Sequence, residues 1–405
     1  MIWTALDVGT TKICAIISQT NKQGEIEILG IGKAPSHGLA RGVVVDAKKT
    51  VTAIKEAITA AERMAGKASP EAVYVGISGS HISSYNSQGV IALKGKEIRQ
   101  HDITAVVNAA KAIPLTEGHQ VLHAIPQYFI IDGNHIVQNP LNMHGIRLEA
   151  AVHIIAGEVT SVQNLISCCE MADLKVKDII LEPLASAEAT LTSDEKELGV
   201  AMLDIGGGTA DFAVYHQGTI RHTKIFPIAG NMFTSDLAIC LKTTRDEAER
   251  LKKEYGYAHD MFVDHVIPLA IRSLDHQSTH TISSIDVAAI LGARTQELFE
   301  LISQEIKTYN LAPYIAGGMV ITGGGGLLRN LDDYATTMLN IPVRIGTPHI
   351  EHMDLKKELE NASYATSYGL VLYPHIQRTQ ALVTIQGPAM SRVLNRMKAW
   401  VYDLF

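Results

Sequence analysis

The first part of the chain contains short apolar runs, with one long stretch of helical periodicity before the last of them. The apolar runs predict strands ending at Asp7 and at Cys14–Ile17, Glu25–Ile31 and Ala72–Ile77. Between the last two strands, apolar residues recur at helical spacing over Ala47–Met64, which predicts an amphipathic helix. A set of strands closed by a helix and a further strand predicts an α/β domain.

Residues 84–162 have a different pattern, in which long alternating runs surround one helical repeat. Strands are predicted at Ser87–Lys94, Leu122–Asp132 and Leu148–Ile155, with a helix at Thr104–Ile113. We therefore expect a small α+β insert within the first domain.

The second half of the chain again combines helical repeats with short buried strands. A strand is predicted at Met319–Thr322, and a polar, histidine-containing stretch occupies Leu274–Ser284. A helix at Ala362–Leu372 is expected to stop before Pro374, because proline disrupts a helix. The other helices after the insert are predicted at Val159–Ala172, Phe233–Leu241, Arg245–Tyr255 and Ile285–Tyr309.

One sequence pattern occurs twice, once in each half. In both copies an apolar strand ends in aspartate, a Gly/Thr turn follows, and a second strand begins. The copies read Ala5-Leu6-Asp7-Val8-Gly9-Thr10-Thr11-Lys12-Ile13 and Met202-Leu203-Asp204-Ile205-Gly206-Gly207-Gly208-Thr209-Ala210-Asp211-Phe212. Two unrelated β-turns are the simpler interpretation, but the shared order of strand, aspartate, turn and strand favours a duplication.

The chemistry of the repeated turn fits a polyphosphate with a divalent cation. Glycine lets backbone N–H groups approach an anion closely. An aspartate repels a phosphate, so an aspartate at this position more readily binds Mg²⁺ through water than it binds the phosphate. Two such hairpins facing each other would bind a polyphosphate from both sides. The residues expected to hold Mg²⁺ are Asp7, Asp204 and Asp211. Those expected at the phosphates are Gly9, Thr10, Thr11, Lys12, Gly206, Gly207, Gly208 and Thr209.

Two other phosphate-binding motifs do not fit this sequence. The pattern GxxxxGK[ST] is absent. A dinucleotide fingerprint needs a helix after its glycines, whereas Thr209–Tyr215 alternates as a strand. Lys12 is positioned to reach a β- or γ-phosphate, with an exposed lysine at a strand start as the alternative.

The two hairpins resemble the phosphate loops of the superfamily that contains actin, the heat-shock chaperones and the sugar kinases. Glu182–Ala187 is similar to its first connecting segment, and Met319–Leu327 resembles its adenosine loop. Glu249–Lys253 is similar to a helix that flanks the purine and ribose. The resemblance implies an α/β actin- or chaperone-like fold, with two duplicated domains around a central cleft that binds ATP or ADP with Mg²⁺.

The same resemblance implies roles for individual residues. Glu182 is the candidate for orienting the attacking water or the hydrated Mg²⁺, with a carboxylate on a helix dipole as the alternative. Asp204 is a second catalytic candidate, and ATP turnover is expected to be slow or weak. The nucleoside is expected at Glu249, Lys252, Lys253, Gly323, Gly324 and Gly325. For the three helical residues of that set, an ordinary solvated helix face is the alternative.

Composition narrows the class of protein. A net charge of −7 over 405 residues argues against a general nucleic-acid binder. The four cysteines lack CxxC or zinc spacing, so reduced thiols are expected. Met1-Ile2-Trp3 leads directly into the first strand without a secretion signal, and no apolar run approaches the roughly 18–20 residues that span a bilayer. We expect a cytoplasmic protein that contacts membrane only peripherally.

The C-terminal residues predict an amphipathic helix, 389–405, after a linker at 375–388 that contains Gly387-Pro388. On a helical projection the apolar residues share one arc of about 140°. They are Met390, Val393, Leu394, Met397, Trp400, Val401, Leu404 and Phe405. The basic residues beside this arc are Arg392, Arg396 and Lys398. A helix packed on the body is the alternative, but tryptophan and phenylalanine with basic residues are typical of helices lying in a membrane surface.

An actin-like ATPase with such an insert and terminal helix resembles the FtsA family of bacterial cell-division proteins. The resemblance covers the full chain and implies that the insert is subdomain 1C, in place of subdomain 1B of actin. It implies a location on the cytoplasmic face of the inner membrane at the division site. It also implies the partners: the C-terminal tail of FtsZ on subdomain 2B, further copies in an actin-like polymer, later division proteins on 1C, anionic lipids, and no nucleic acid.

The implied subdomains alternate along the sequence. They are 1A at 1–83 and 163–195 with 355–374 returning to it, 1C at 84–162, 2A at 196–226 and 306–354, and 2B at 227–305. The pilus-assembly ATPase PilM is an alternative, although PilM generally lacks the terminal amphipathic helix. A small-molecule kinase is another, but it needs a catalytic aspartate in a substrate pocket, and the sequence identifies none.

Overall fold

The structure, a computed structural model, describes residues 2–21, 24–66, 72–274, 278–350 and 356–381. Its strands are β1 (Ile2–Val8), β2 (Lys12–Thr20), β3 (Ile26–Pro35), β4 (Leu39–Ala40), β5 (Val43–Val44), β6 (Ala72–Ile77), β7 (Ile82–Glu97), β8 (His119–Ile131), β9 (His135–Val137), β10 (His144–Glu158), β11 (Lys175–Leu181), β12 (Val200–Ile205), β13 (Ala210–His216), β14 (Thr219–Phe226), β15 (Pro268–Arg272), β16 (Thr279–Ser283), β17 (Met319–Thr322) and β18 (Val343–Ile345).

The helices lie between and around these strands. The α-helices are α1 (Ala47–Ala65), α2 (Gln100–Ala110), α3 (Val159–Met171), α4 (Glu182–Thr190), α5 (Ser193–Leu198), α6 (Gly230–Cys240), α7 (Arg245–Tyr255), α8 (Ser284–Thr308), α9 (Leu331–Leu339), α10 (Lys356–Leu359) and α11 (Ala365–Ala381). Short 3-10 helices occupy Asp260–Phe262, Ala312–Tyr314, Gly325–Leu327 and Ala362–Tyr364.

Two five-stranded sheets with the same strand order form the centres of the two domains. The first has the order β11-β6-β1-β2-β3, and the second has the order β18-β17-β12-β13-β14. In each sheet the first three strands of the domain are antiparallel neighbours. The other two strands join them in parallel. The duplication that the two hairpin motifs predict is therefore present in the central sheets of the two domains.

The strands of the first sheet are apolar on both faces because helices cover both. Leu6 and Ile13 face a core that includes α1 and α3, whereas Ala5 and Ile16 face α4 and α11. On this second side α11 approaches α4 very closely. A methyl group at Gly369 would lie 1.8 Å from the carbonyl oxygen of α4 residue Ala185. The sheet thus fixes the positions of α4 and α11 beside the first hairpin.

The insert is a four-stranded antiparallel sheet in the order β7-β10-β8-β9, with α2 packed on one face. This is the small α+β insert that the sequence predicts. Its long strands extend beyond the predicted ranges; β10, for example, begins at His144 and ends at Glu158, whereas the prediction covers Leu148–Ile155. The additional residues continue the ladder with β7 at less regularly alternating positions, which periodicity does not detect.

Two stretches in the second half differ from the prediction. Pro268–Arg272 and Thr279–Ser283 pair as an antiparallel hairpin, although the polar stretch predicted no strand. The helix α11 continues through Pro374 to Ala381, so the expectation that it stops before this proline is wrong. Pro374 is buried, and packing of α11 on α4 and β1 offsets the backbone hydrogen bond that proline cannot donate.

The end of the chain is described only in part. Residues 375–381 of the predicted linker are helical, as the last turns of α11. The rest of the linker and the predicted amphipathic helix 389–405 lie outside the described residues. Within the ranges that are described, no helix is both long enough and apolar enough to cross a membrane.

The insert also packs on β14, the edge strand of the second sheet, through polar side chains. Ser84 Oγ donates to the carbonyl oxygen of Thr223 over 2.8 Å, and His153 Nε2 lies 3.0 Å from Thr223 Oγ1. Gln127 Nε2 donates to the carbonyl oxygen of Ile220 over 2.9 Å. Edge strands carry unpaired backbone groups, and here the insert pairs with several of them. The insert therefore connects the first domain to the second.

His153 in this contact is expected to make the protein less stable in acid. It is 1% exposed, and burial lowers its pKa to about 3, with a smaller contribution from the charge of His222. The pKa of histidine in an unfolded chain is about 6.5. Below that pH the unfolded chain takes up a proton that the folded protein excludes, so stability falls by about 1.4 kcal/mol per pH unit, or about 2 kcal/mol at pH 5.

Urea unfolding of the wild type and His153→Gln at pH 7 and pH 5 measures this effect. The variant is expected to lose about 2 kcal/mol less than the wild type between the two pH values. His37→Gln, at an exposed histidine, is the control and should follow the wild type. An equal acid-dependent loss in wild type and His153→Gln would contradict the assignment.

Candidate functional site

Each of the two repeated turns is closed by the same backbone hydrogen bond. Gly9 N donates to the carbonyl oxygen of Lys12 over 3.1 Å, and Gly206 N donates to that of Thr209 over 2.9 Å. In the first hairpin, Asp7 near the end of β1 lies opposite Cys14 on β2. In the second hairpin, Asp204 near the end of β12 lies opposite Asp211 on β13. The hairpins share a backbone geometry, but only the second carries two carboxylates.

The two turns touch each other between the domains. A methyl group at Gly207 would lie 2.3 Å from Thr11 Cγ2, and one at Gly208 would lie 2.4 Å from Thr10 Oγ1. Close approach therefore requires glycine at both positions. The structure brings together the two sets of residues that the sequence predicts at the phosphates.

Four carboxylic acids lie beside these turns. Asp7, Asp204 and Asp211 are 6%, 5% and 2% exposed. Burial raises the pKa of Asp7 and Asp204, and it raises the pKa of Asp211 to about 8, with a further contribution from Asp204. Burial, followed by the charges of the three aspartates, raises the pKa of Glu182 well above its usual value. Carboxylates that lie close together and away from water repel one another, which favours the binding of a cation.

Hydroxyl groups that the sequence analysis did not identify donate to these carboxylates. The bonds are Ser367 to Asp7 at 2.6 Å, Ser186 and Thr366 to Asp204 at 2.5 and 2.9 Å, and Ser78 to Asp211 at 2.7 Å. Ser186 follows Glu182 by one helical turn, a spacing that could have indicated it. Ser78 follows a buried strand and precedes a glycine, which is a weaker signal. Ser367 and Thr366 are distant in sequence, and no local pattern connects them to the aspartates.

The acidic cluster fits a hydrated divalent cation. Mg²⁺ binds carboxylate oxygens and usually keeps several water molecules, and a bound cation relieves the repulsion that raises these pKa values. Asp7, Asp204 and Asp211 are the residues that would hold it through water. Across the described ranges, no group of three or more His, Cys, Asp or Glu is arranged to hold a metal ion directly.

Lys12 lies between the acidic cluster and the segment that precedes α11. Its Nζ donates to the carbonyl oxygen of Ser363 and sits 4.4 Å from the ring centroid of Tyr364. Its positive charge opposes the effect of burial on the pKa of Asp7 and Asp204. Lys12 is therefore near the predicted phosphate position, but a backbone carbonyl already holds its ammonium group.

The glycines predicted at the nucleoside follow β17 and adjoin the second hairpin. Gly323 has a φ of 84° and packs against β12, where a methyl group would lie 2.3 Å from Asp204 Oδ1. Gly325 packs in the same way on Ile205. Gly324 faces more open space, since the nearest heavy atom to a methyl group there is Ser363 Cβ at 3.8 Å.

The charged residues predicted at the nucleoside form a network on α7. Lys252 Nζ lies 2.7 Å from Glu249 Oε2 and donates to the carbonyl oxygen of Gly230 over 3.0 Å. Gly230 N in turn donates to the carbonyl oxygen of Gly206 over 3.0 Å. Lys253 is more exposed and pairs with Glu249 Oε1 at 3.2 Å. The network thus joins α7 to the second of the two repeated turns.

Comparisons of sequence identify a family. The family described as "Cell division protein FtsA" matches residues 201–369, and the domain described as "SHS2 domain inserted in FTSA" matches residues 79–156. The chain is 37% identical to the cell division protein FtsA of Pseudomonas aeruginosa, over 99% of this chain and 97% of that protein. It is 37% identical to the protein of the same name from Neisseria meningitidis, over 99% and 98%.

Comparisons of structure identify the same fold in actin-like proteins. The PilM–PilN type IV pilus biogenesis complex aligns with a TM-score of 0.67 at 15% identity, over 92% of this chain and 98% of the other. MreB5 of Spiroplasma citri bound to ADP gives 0.58 at 17% identity, over 94% and 98%. A chain of the MamK double helical filament gives 0.53 at 12% identity, over 92% and 98%. Identities this low support the fold alone, including for PilM.

Proposed function

Because the chain belongs to the FtsA family of cell-division proteins, we propose that it binds ATP with Mg²⁺ and tethers FtsZ filaments to the inner membrane. The observation that carries the nucleotide part is the cluster of three buried aspartates and the half-buried Glu182 beside two touching glycine turns. Polyphosphate with Mg²⁺ supplies both the anion that the turns favour and the cation that the acids favour.

The two turns divide the binding of the nucleotide between the domains. We propose that the phosphates bind at the turns Gly9–Thr11 and Gly206–Thr209, through backbone N–H groups other than those of Gly9 and Gly206, which close the turns, with Lys12 beside them. Glu249, Lys252, Lys253 and the loop after β17 would bind the nucleoside. Bound Mg²⁺ supplies charge neutralisation for phosphoryl transfer. Glu182, at the junction of β11 and α4, would orient the attacking water, and we expect turnover to be slow.

A ligand bound by both hairpins also couples the domains. Each hairpin belongs to a different sheet, so phosphates between them favour one relative orientation of the domains. We propose that ATP selects an orientation that polymerises. The likeness to a chain of the MamK double helical filament supports an actin-like polymer through the shared fold.

Titration calorimetry of the full chain with ATP and ADP tests the nucleotide site. Binding of both nucleotides in Mg²⁺, and weaker binding in EDTA, is the expected result. The absence of binding heat for either nucleotide across several temperatures, with a folded protein, would overturn the proposal. Several temperatures are needed because a binding enthalpy can pass through zero at one of them.

The sequence of residues 390–405 supports membrane attachment. Eight apolar side chains, each half buried in the interface, contribute about 1 kcal/mol apiece, and three basic residues add about 1 kcal/mol each near anionic lipid. Folding so short a helix is itself marginal in water. One copy therefore binds weakly and reversibly, and polymerisation strengthens binding because neighbouring copies rebind at high effective concentration.

Trp400→Glu is expected to weaken binding to anionic liposomes by about ten-fold or more, since it places a charge in the apolar arc. Tyr402→Glu adds the same charge on the opposite side of the helical projection and is the matched control. Co-sedimentation with and without ATP provides the measurement. Equal binding by the wild type and Trp400→Glu would contradict the membrane helix, and indifference to ATP would contradict its coupling to polymerisation.

The partners are assigned to two subdomains. We propose that the FtsZ tail binds subdomain 2B, which contains a cavity of about 550 Å³ lined by Cys240, Leu241, Lys242, Ser273, Leu274, His280 and Ile282. Later division proteins would bind the insert, where the apolar side chains of Ile136 and Ile146 are exposed. Pull-down with the C-terminal peptide of FtsZ, while the surface charges of 227–305 are altered in turn, tests the first assignment; retention by every variant would contradict it.

A further inference from the structure

A two-residue hairpin tip lies against the two phosphate turns. The strands β4 and β5 pair through Leu39 with Val44 and Ala40 with Val43, which leaves Arg41 and Gly42 as the connection. Both connecting residues have positive φ angles, 51° and 77°. Positive φ at both central residues is the signature of a type I′ turn.

Arg41 is an unusual residue at this position. Type I′ turns favour Asn, Asp and Gly, because a larger L side chain at positive φ crowds its own backbone. Residues held in such conformations cluster at ligand-binding and switch sites. The conformation of Arg41 is therefore typical of a residue that binds a ligand.

The tip contacts residues from both domains. Gly42 N donates to Thr10 Oγ1 over 3.2 Å, on the first phosphate turn. On the second turn, a methyl group at Gly208 would lie 3.0 Å from Arg41 Cα. A methyl group at Gly42 would lie 2.2 Å from the carbonyl oxygen of Ser78. These contacts hold the Arg41 backbone where the two turns meet.

The guanidinium group is available for a ligand. Arg41 is exposed, and among the residues that the structure describes, its side chain has no hydrogen bond, ion pair or ring contact. Arginine is always charged and offers a planar set of donors that matches a phosphate group. Lys12, which follows the first turn, is already bound to the carbonyl oxygen of Ser363.

We propose that Arg41 binds the terminal phosphate of ATP and thereby makes the site distinguish ATP from ADP. The inference rests on the proposed nucleotide site and adds a residue that the phosphate motifs do not contain. A phosphate held by Arg41 lies at the contact between the two domains, so the same residue favours the ATP-bound orientation over the ADP-bound one.

Titration calorimetry of the full-length protein with Mg·ATP and Mg·ADP tests the proposal. Arg41→Ala is expected to lower the affinity for ATP about ten-fold or more, as for a lost charge-assisted pair, and the affinity for ADP less than about two-fold. Arg41→Lys keeps the charge without the planar donors and should fall between the wild type and Arg41→Ala. Arg63→Ala, at an exposed arginine on α1, controls for the change in net charge.

Arg41→Asn separates binding from folding. Asparagine suits a positive φ, so without nucleotide this variant should unfold at the same temperature as the wild type or higher, while it loses ATP affinity as Arg41→Ala does. Equal losses for ATP and ADP, unchanged ATP affinity, or a lower unfolding temperature of Arg41→Asn would each overturn the proposal. A wild type that binds neither nucleotide would instead overturn the proposed function, and this inference with it.

Discussion

Asp211→Asn is expected to abolish tight binding of Mg·ATP and, at the same time, to stabilise the protein without ligand. Asp211 is 2% exposed, and burial together with Asp204 raises its pKa to about 8. Asparagine removes this buried charge but can still accept the hydrogen bond from Ser78. We expect the free energy of unfolding at pH 8.5 to rise on the order of 5 kcal/mol, because the pKa is raised by about four units and each unit corresponds to about 1.4 kcal/mol.

The raised pKa of Asp211 determines how the stability of the wild type changes with pH. The folded pKa of Asp211 lies above the unfolded value of about 3.9, so the folded protein retains a proton that the unfolded chain has lost. Its contribution to stability is fully present below about pH 4 and is lost as the pH rises through 8. The wild type should therefore lose stability between pH 5 and pH 8 relative to Asp211→Asn. His153 has the opposite trend below pH 6.5, which both proteins share.

Binding of Mg·ATP moves in the other direction. The cation favours the charged carboxylate, so the wild type should release protons on binding and bind more tightly as the pH rises from 7 to 8.5. Asp211→Asn should bind about 10- to 100-fold more weakly at pH 8.5, the usual cost of removing a residue that contacts a metal ion through the ligands bound to it. Calorimetry in two buffers of different ionisation enthalpy measures the affinity and the proton release together.

Asp264→Asn is the matched control, since Asp264 is an exposed aspartate in a loop of the same domain. It should change neither the stability nor the nucleotide affinity. An Asp211→Asn variant that is less stable than the wild type at pH 8.5 would contradict the buried charge. One that binds Mg·ATP with unchanged affinity would contradict the role of Asp211 near the cation.

The repeated hairpins could be identified from the sequence because neighbouring residues alone determine the conformation of such a turn. A glycine turn after a strand-ending aspartate specifies its own backbone geometry, and the structure shows the same closing hydrogen bond in both copies. The duplication places the two turns at equivalent positions of their sheets, since the two domains share one strand order, whereas the contact between the turns depends on how the domains pack. The chemical roles of these residues stay predictions.

The parts that sequence reasoning missed depend on contacts between distant segments. Ser367 binds Asp7 from the opposite end of the chain, and no pattern around either residue specifies the other. Pro374 indicates a helix end by its own chemistry, yet packing of α11 carries the helix past it. Arg41 was missed because a two-residue hairpin with strands this short leaves almost no periodic signal.

Gly323→Ala is expected to destabilise the protein by about 3 kcal/mol or more and to weaken nucleotide binding. The φ of 84° is unfavourable for alanine. In addition, its methyl group would lie 2.3 Å from Asp204 Oδ1 and 2.5 Å from the carbonyl oxygen of Ile205, so the backbone of β12 would have to shift. Urea unfolding measures the first effect, and calorimetry at a temperature where the variant is folded measures the second.

The neighbouring glycine provides the control for this prediction. Gly324 has a φ of −65°, and a methyl group there meets nothing closer than Ser363 Cβ at 3.8 Å. Gly324→Ala should therefore keep the stability of the wild type within about 0.5 kcal/mol. Its effect on nucleotide affinity then reports on the ligand rather than on the fold: a loss would indicate that the nucleoside lies against Gly324. Equal stability of Gly323→Ala and Gly324→Ala would contradict the packing of Gly323 on Asp204.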